Sequence, residues 1–169
     1  MRTSLYLENN EQLIEILRHV AVFKPFKDEN LKKLLQLSKI CTFMPKEIII
    51  REGKREKCMY LLISGTITVS KDNKSIAKLK RTGDIFGEMS LFGDKPRSVT
   101  VTAETETSCM MVDAEYLENI DEEGKNSFHA IVYQMFAQIL AQRLLVLTEK
   151  YTNSKAEIDR LKKEYTLGN

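Results

Sequence analysis

Residues Phe86 to Ala103 read FGEMSLFGDKPRSVTVTA, a turn-rich stretch between two apolar segments that are typical of strands. A glycine before a short helical turn, as at Gly87, can present backbone N–H groups to an anion. Glu88 is suited to accept hydrogen bonds from hydroxyl groups. Arg97 offers a planar guanidinium that matches a phosphate, and Ser98 can add a hydroxyl. The stretch therefore predicts a pocket for a small anionic ligand that carries a sugar.

The same residue types allow a simpler interpretation of this stretch. Glu88 and Arg97 could pair with each other across a surface turn, with no ligand involved. Residue types alone leave both interpretations open.

Composition narrows the class of protein. The 169 residues are 43% hydrophobic and 30% charged, which is typical of a globular protein with one compact domain and an appendage. A net charge of +2 gives no electrostatic reason to expect nucleic-acid binding. The three cysteines form no CxxC pair, so we expect reduced thiols and neither a disulfide framework nor a metal site. With no apolar N-terminal run and no span apolar enough for a bilayer, we expect a cytoplasmic protein without a membrane segment.

Between Ile40 and Val112, short segments rich in Ile, Val, Thr and Met alternate with turn residues, a pattern typical of an all-β sandwich or barrel. Ser64-Gly65 and Lys71-Asp72-Asn73 are predicted to be hairpin turns. The predicted strands are Ile40–Met44, Ile48–Arg51, Cys58–Ile63, Thr66–Ser70, Ser75–Lys80, Ser98–Glu104 and Thr107–Val112.

Helical patterns flank the predicted strands. Asn9 or Asn10 could cap a first helix through Val20, and Asp28 is predicted to cap a second. After the strands, Asp113 is predicted to cap a short helix, DAEYLENI, and Gly124 to break the chain before a long helix.

The long helix carries an apolar seam at alternating spacings of four and three residues. This heptad pattern predicts a two-chain coiled coil, because a lone helix of this length is marginal in water. The alternative is a seam that folds back onto its own domain. The seam consists of Leu140, Leu144, Leu147, Tyr151, Ser154, Ile158, Leu161 and Tyr165.

The motifs resemble those of the cyclic nucleotide-binding domain family. FGEMSLFGDKPRSVTV is similar to the family's phosphate-binding cassette, MYLLISGTITV to a hairpin upstream of it, and LKRTGDIFGE to the approach to the cassette. The resemblance covers residues 23–150 and is closest to the ligand domains of bacterial catabolite activators, without their DNA-binding domain. It implies a mainly β fold with flanking helices (α+β), a double-stranded β-helix or jelly-roll β-roll.

The resemblance also implies a division of the chain and a ligand. Residues 1–125 are expected to form the β-roll with its N-terminal helices. Residues 126–169 are expected to form the C-terminal helix, which serves as lid and coiled-coil dimerisation segment. The implied ligand is cyclic AMP (cAMP), with cyclic GMP (cGMP) as the alternative, and no separate cofactor. The implied partners are a second copy of the chain and an unnamed effector protein, with no direct DNA binding.

Site residues follow from the same resemblance. Gly87 would let the backbone approach the ribose, Glu88 would accept the ribose 2′-hydroxyl, and Arg97 with Ser98 would hold the cyclic phosphate. Leu147 departs from the activators, which carry a threonine there, so the choice between adenine and guanine is open. The remaining implied contacts are backbone amides at Met89 and Ser90, pocket walls at Val69, Leu79 and Val99, and base contacts at Arg143, Leu147 and Thr148.

Two other functions are disfavoured by the sequence. An enzyme with metal on inward-facing histidines does not fit, because His19 and His129 both lie outside the predicted strands. A ligand-independent adaptor is disfavoured because Glu88, Arg97 and Ser98 are all retained. The sequence thus predicts a non-catalytic sensor that binds a cyclic nucleotide and signals through its C-terminal helix.

Overall fold

The structure, a computed structural model, describes residues 2–6, 11–90, 95–113 and 122–167. The chain divides into two compact units, with the boundary between Val132 and Tyr133. The functional boundary proposed between residues 125 and 126 stays a prediction.

Nine strands form two antiparallel sheets among the described residues of the first unit. The five-stranded sheet has the order β1-β2-β9-β4-β7, and the four-stranded sheet has the order β3-β8-β5-β6. The fold class predicted from the sequence, a mainly β roll with flanking helices, is confirmed. The strands are β1 (Arg2–Tyr6), β2 (Ser38–Phe43), β3 (Ile48–Ile50), β4 (Cys58–Ser64), β5 (Ile67–Lys71), β6 (Lys74–Leu79), β7 (Ile85–Phe86), β8 (Thr100–Ala103) and β9 (Thr107–Asp113).

Side chains from both sheets meet in one core. Phe43, Tyr60 and Leu62 come from the five-stranded sheet, and Ile67 and Val101 come from the four-stranded sheet. In β8 burial alternates along the strand, so one face is buried, whereas in β4 residues on both faces are buried. Burying such a side chain contributes about 1.5–3 kcal/mol. This core holds the strands that carry the candidate site.

Of the two predicted hairpin turns, the one at Lys71-Asp72-Asn73 is confirmed. The one at Ser64-Gly65 is wrong, because β4 and β5 lie in different sheets and do not pair with each other. Gly65 has a φ of +99° between β4 and β5, a conformation that glycine adopts without strain. Asp72 and Asn73 have φ values of 48° and 61° between β5 and β6, with Lys71 paired to Lys74. A two-residue turn in which both residues have a positive φ matches the right-handed twist of the flanking strands, which explains why this turn closes the hairpin.

In the part of the chain that the structure describes, three α-helices accompany the strands: α1 (Glu11–His19), α2 (Asp28–Gln36) and α3 (Glu122–Leu167). Two predictions about them were wrong. The N-cap of α2 is Lys27, without a side-chain hydrogen bond, and Asp28 instead accepts hydrogen bonds from Arg18 Nε and Nη2 at 3.2 and 2.6 Å. Gly124 lies within α3 and does not break the chain before it.

The predicted caps Asn9 and Asn10 and the predicted helix over residues 114–120 lie outside the described residues. Of the helices that the structure describes, none is long and apolar enough to cross a membrane.

Candidate functional site

The candidate site begins where β7 ends. Phe86 pairs with Tyr60 of β4, and the two rings stack with centroids 5.3 Å apart. Gly87 follows with a φ of +77°, and Glu88–Ser90 form a single 3₁₀ turn. The stacked rings fix the start of this loop on the core. The helical turn after a glycine, expected from the sequence, is confirmed.

Arg97 lies at the C-terminal end of the candidate site. Its backbone is fixed by the segment after β3: Arg97 N donates to Lys54 O at 2.8 Å, and Gly53 N donates to Arg97 O at 2.9 Å. Two backbone hydrogen bonds to one neighbouring segment set the direction of the side chain. β8 then begins three residues later, at Thr100.

The Arg97 guanidinium points into the protein, and its side chain is only 3% exposed. Nη1 donates to Gly87 O at 2.7 Å, and Nη2 donates to Cys58 O at 2.8 Å and contacts Cys58 Sγ at 3.0 Å. These hydrogen bonds are charge-assisted, which makes them stronger than bonds between neutral groups. Arg97 therefore joins the glycine turn to the first residue of β4.

The acceptors that contact the Arg97 guanidinium are all electrically neutral. Burial raises the pKa of the Cys58 thiol despite lowering contributions from Tyr60 and Arg97, so the sulfur is neutral at physiological pH. The two carbonyls are neutral as well, and none of the three cancels the charge of the guanidinium. A carboxylate oxygen of Glu56 lies 3.8 Å from Nη2. That side chain is 48% exposed, so solvent screens its attraction to the guanidinium.

Gly87 lies where an added Cβ would meet neighbouring side chains. A Cβ there would come within 2.7 Å of Ile50 Cδ1 and 2.9 Å of Arg97 Nη1. A positive φ and this close approach both require glycine. The structure thus brings Gly87 and Arg97 into direct contact.

Measured over the whole residue, Glu88 is 2% exposed and Arg97 is 4% exposed. Neither residue therefore lies on the surface, where the simpler interpretation from the sequence placed them. Burial of two ionisable residues in one loop is unusual for a structural turn and typical of a functional site.

The other predicted contacts are distributed differently. Met89 is 60% exposed, and Ser98 is exposed, with its carbonyl accepting a hydrogen bond from Lys71 Nζ at 3.3 Å. The predicted wall residues Val69, Leu79 and Val99 are partly buried against the core. The structure describes no side chain for Ser90.

The three predicted base contacts belong to the second unit. Arg143, Leu147 and Thr148 lie on α3, where Leu147 is 64% exposed. Thr148 Oγ1 donates to the Leu144 carbonyl at 2.8 Å. Their role at the base stays a prediction.

Four residues that contact Arg97 were not predicted, and no motif in the sequence marks them: Gly53, Lys54, Glu56 and Cys58. Two of the contacts use backbone carbonyls, which carry no residue-type signal. A loop adjacent in space to the cassette could be found only from the strand pairing.

A family model described as cyclic nucleotide-binding domain matches residues 40–123. These residues thus belong to the cyclic nucleotide-binding domain family. The matched range contains Gly87, Glu88 and Arg97 and all strands from β3 to β9.

Individual relatives agree with this assignment. A cGMP-dependent protein kinase of Eimeria tenella is 39% identical over 79 residues, covering 47% of this chain and 8% of the kinase. The chain therefore spans a small part of that relative's length.

Solved structures show the same fold. One described as "Sp-2Cl-cAMPS bound to PKAR CBD2" has a TM-score of 0.63 and 27% identity over 85% of this chain and 89% of that one. The catabolite activator protein of Thermus thermophilus has a TM-score of 0.62 and 23% identity over 78% of this chain and 61% of that one. The resemblance inferred from the motifs is confirmed.

Proposed function

We propose that the chain is a non-catalytic cytoplasmic sensor that binds a cyclic nucleotide, preferentially cAMP, and dimerises through α3. The observation that carries the proposal is the buried contact between Arg97 and Gly87 O at 2.7 Å, beside a buried Glu88. It supports a pocket in which a cation receives the phosphate and a carboxylate receives the ribose. The three free and buried cysteines fit a reducing compartment.

The preference for cAMP is supported by hydrogen-bond chemistry on α3. The Thr148 hydroxyl already donates to the Leu144 carbonyl, so its remaining capacity is that of an acceptor. Adenine presents an amino donor where guanine presents a carbonyl acceptor. An acceptor at this residue would therefore favour adenine, provided that Thr148 is a base contact as we propose.

Calorimetric titration with cAMP and cGMP tests the proposal. We expect saturable binding of cAMP and weaker binding of cGMP. Glu88→Gln should weaken cAMP binding, because an amide replaces the carboxylate acceptor that the 2′-hydroxyl needs. The same variant should bind 2′-deoxy-cAMP about as well as the wild type does. An equal loss with both nucleotides would contradict the role of Glu88.

Arg97→Ala should weaken cAMP binding by roughly tenfold to a hundredfold, because a charge-assisted contact is worth about 1.5–3 kcal/mol. Arg97→Lys keeps the charge but cannot join Gly87 O to Cys58 O, so it should recover only part of the affinity. Lys33→Ala on the exposed face of α2 is the control and should bind as the wild type does. Affinity that is unchanged in both Arg97 variants would contradict the phosphate assignment.

A ligand-independent adaptor is the second candidate. It is favoured by one observation: the guanidinium already donates to protein carbonyls and is 3% exposed. In that case Arg97 would be a structural residue. The titration distinguishes the two, since an adaptor gives no binding heat with either cyclic nucleotide while remaining folded.

A further inference from the structure

The seam of α3 is a row of exposed apolar side chains. Leu144, Leu147 and Tyr151 are 64%, 64% and 68% exposed, and Ile158 and Leu161 are 51% and 53% exposed. A helix that shows such a row to solvent gains stability when a second helix covers it. The heptad spacing fits a partner of identical sequence, which carries the same seam.

Heptad positions follow from the spacing of the seam. With a and d as the core positions, the pattern assigns Leu144, Tyr151, Ile158 and Tyr165 to a, and Leu140, Leu147, Ser154 and Leu161 to d. The flanking g positions are Arg143, Lys150, Glu157 and Glu164, and the flanking e positions are Ala141, Thr148, Lys155 and Lys162. The g positions are basic in the first half and acidic in the second.

This charge division disfavours parallel helices. In a parallel pair, each g position faces the e position five residues later in the partner. Lys150 would then face Lys155, which is repulsive, and Glu157 would face Lys162, which is attractive. The two contributions oppose each other, and Arg143 would face the uncharged Thr148.

An antiparallel pair removes the conflict. When g positions face g positions, Arg143 lies opposite Glu164 and Lys150 opposite Glu157, and the two-fold symmetry repeats both attractive pairs. The e positions then pair Lys155 with Thr148 and Lys162 with Ala141, which brings no like charges together.

Core layers in this register are also complementary in size. The a residues face d residues, so Leu144 lies opposite Leu161, and Ile158 opposite Leu147. The bulky Tyr151 lies opposite the small Ser154, whereas a parallel pair would stack two tyrosines in one layer and two serines in another. Alternating large and small side chains packs a core without voids.

We infer that α3 pairs with a second copy of itself in antiparallel orientation, in the register that places Leu144 opposite Leu161. The inference rests on the proposed dimerisation through α3. Its test needs no nucleotide, so a titration without heat leaves it intact. Sedimentation that shows only monomer overturns it and leaves the nucleotide site untouched.

Disulfide trapping distinguishes the orientations. Leu144→Cys and Leu161→Cys are made separately with tags of different mass, oxidised alone and as a mixture, with the wild type as control for native cysteines. The antiparallel register predicts a mixed disulfide and no self-linked dimer, because two copies of either residue lie about 26 Å apart at about 1.5 Å per residue. Self-linked dimers without the mixed product would show parallel helices and overturn the inference.

Charge reversal gives a second readout that needs no cysteine. Lys150→Glu should weaken self-association roughly tenfold in the antiparallel register, because the introduced carboxylate would face Glu157 in two symmetric pairs. In a parallel pair the same change places a carboxylate opposite Lys155 and strengthens association. Combining it with Glu157→Lys should restore wild-type association.

Helix content should stay unchanged in Lys150→Glu. The residues three and four positions from Lys150 are uncharged, so no intrahelical ion pair is lost: Val146, Leu147, Asn153 and Ser154. Stronger association of Lys150→Glu would overturn the inference.

Discussion

The fold itself holds the Arg97 guanidinium in a buried position. Burying a guanidinium costs several kcal/mol unless its donors are satisfied, and here Gly87 O and Cys58 O accept from it. Removing the arginine would leave two carbonyls in a buried loop to find new donors. We therefore expect Arg97 variants to change loop stability as well as affinity, so both quantities need to be measured on each variant.

Gly87→Ala tests the close approach in this loop. The new Cβ would clash with Ile50 and Arg97 at a φ of +77°, so we expect a loss of about 2–4 kcal/mol in the free energy of unfolding, measured by urea denaturation. We also expect weaker cAMP binding.

Gly53→Ala is a matched control for that variant. Its φ of +80° imposes a similar backbone strain, but nothing lies within 4 Å of the added Cβ. We expect a loss of only about 1–2 kcal/mol. Equal losses at Gly53 and Gly87 would show that backbone strain alone, and not contact with Arg97, requires glycine in the cassette.

At the scale of elements, strands with regular alternation and flanking turns could be predicted from sequence. All seven predicted strands are present, with ends displaced by at most two residues. β1 was missed because Arg2–Tyr6 pairs only with β2, through an irregular register that leaves no periodic signal. β7 was missed because two residues are too short to show a period.

The candidate site also contains features that could be predicted from the sequence and features that could not. Gly87, Glu88 and Arg97 could be predicted, because their residue types carry the chemistry. The acceptors of Arg97 could not, since the carbonyls of Gly87 and Cys58 come together only through the pairing of β7 with β4. Asp28 resembled a cap by type, but Arg18 holds its carboxylate and lowers its pKa.

The pairing of β2 with β9 carries a testable consequence for two thiols. Cys41 lies opposite Cys109, and both are fully buried. Burial raises the pKa of both, to about 12 for Cys109. At pH 8 the folded protein should therefore react slowly with Ellman's reagent, while all three cysteines should react in denaturant. Leu161→Cys supplies an exposed thiol as the control for reagent activity.

The pKa of Cys109 also fixes the direction of a pH effect. The folded state holds the thiol proton more tightly than the unfolded chain, so this contribution to stability is complete below about pH 9 and is lost as the pH rises through about 12. Cys109→Ala should remove that part of the alkaline loss. Rapid labelling of Cys109 in the folded protein would contradict its placement in the core.

At the scale of the whole molecule, two compact units carry two separate proposals. The unit with the strands would bind the phosphate and ribose, and α3 would bind a second copy. Signalling requires that one event change the equilibrium of the other.

Thermodynamic linkage gives the test of coupling. If cAMP changes the dimer dissociation constant by some factor, dimerisation must change the affinity for cAMP by the same factor. We expect a change of about 5-fold to 150-fold, the range that corresponds to a typical coupling of about 1–3 kcal/mol. Sedimentation equilibrium with and without saturating cAMP measures the first factor.

Titration at protein concentrations below and above the dimer dissociation constant measures the second factor. Lys150→Glu provides a matched control, because its weaker association should let the monomer be titrated at ordinary concentrations. A factor that differs from one in both measurements would support α3 as the output of the sensor. A dimer constant that cAMP leaves unchanged would mean that binding and association are independent, and the signal would have to leave the protein through another surface.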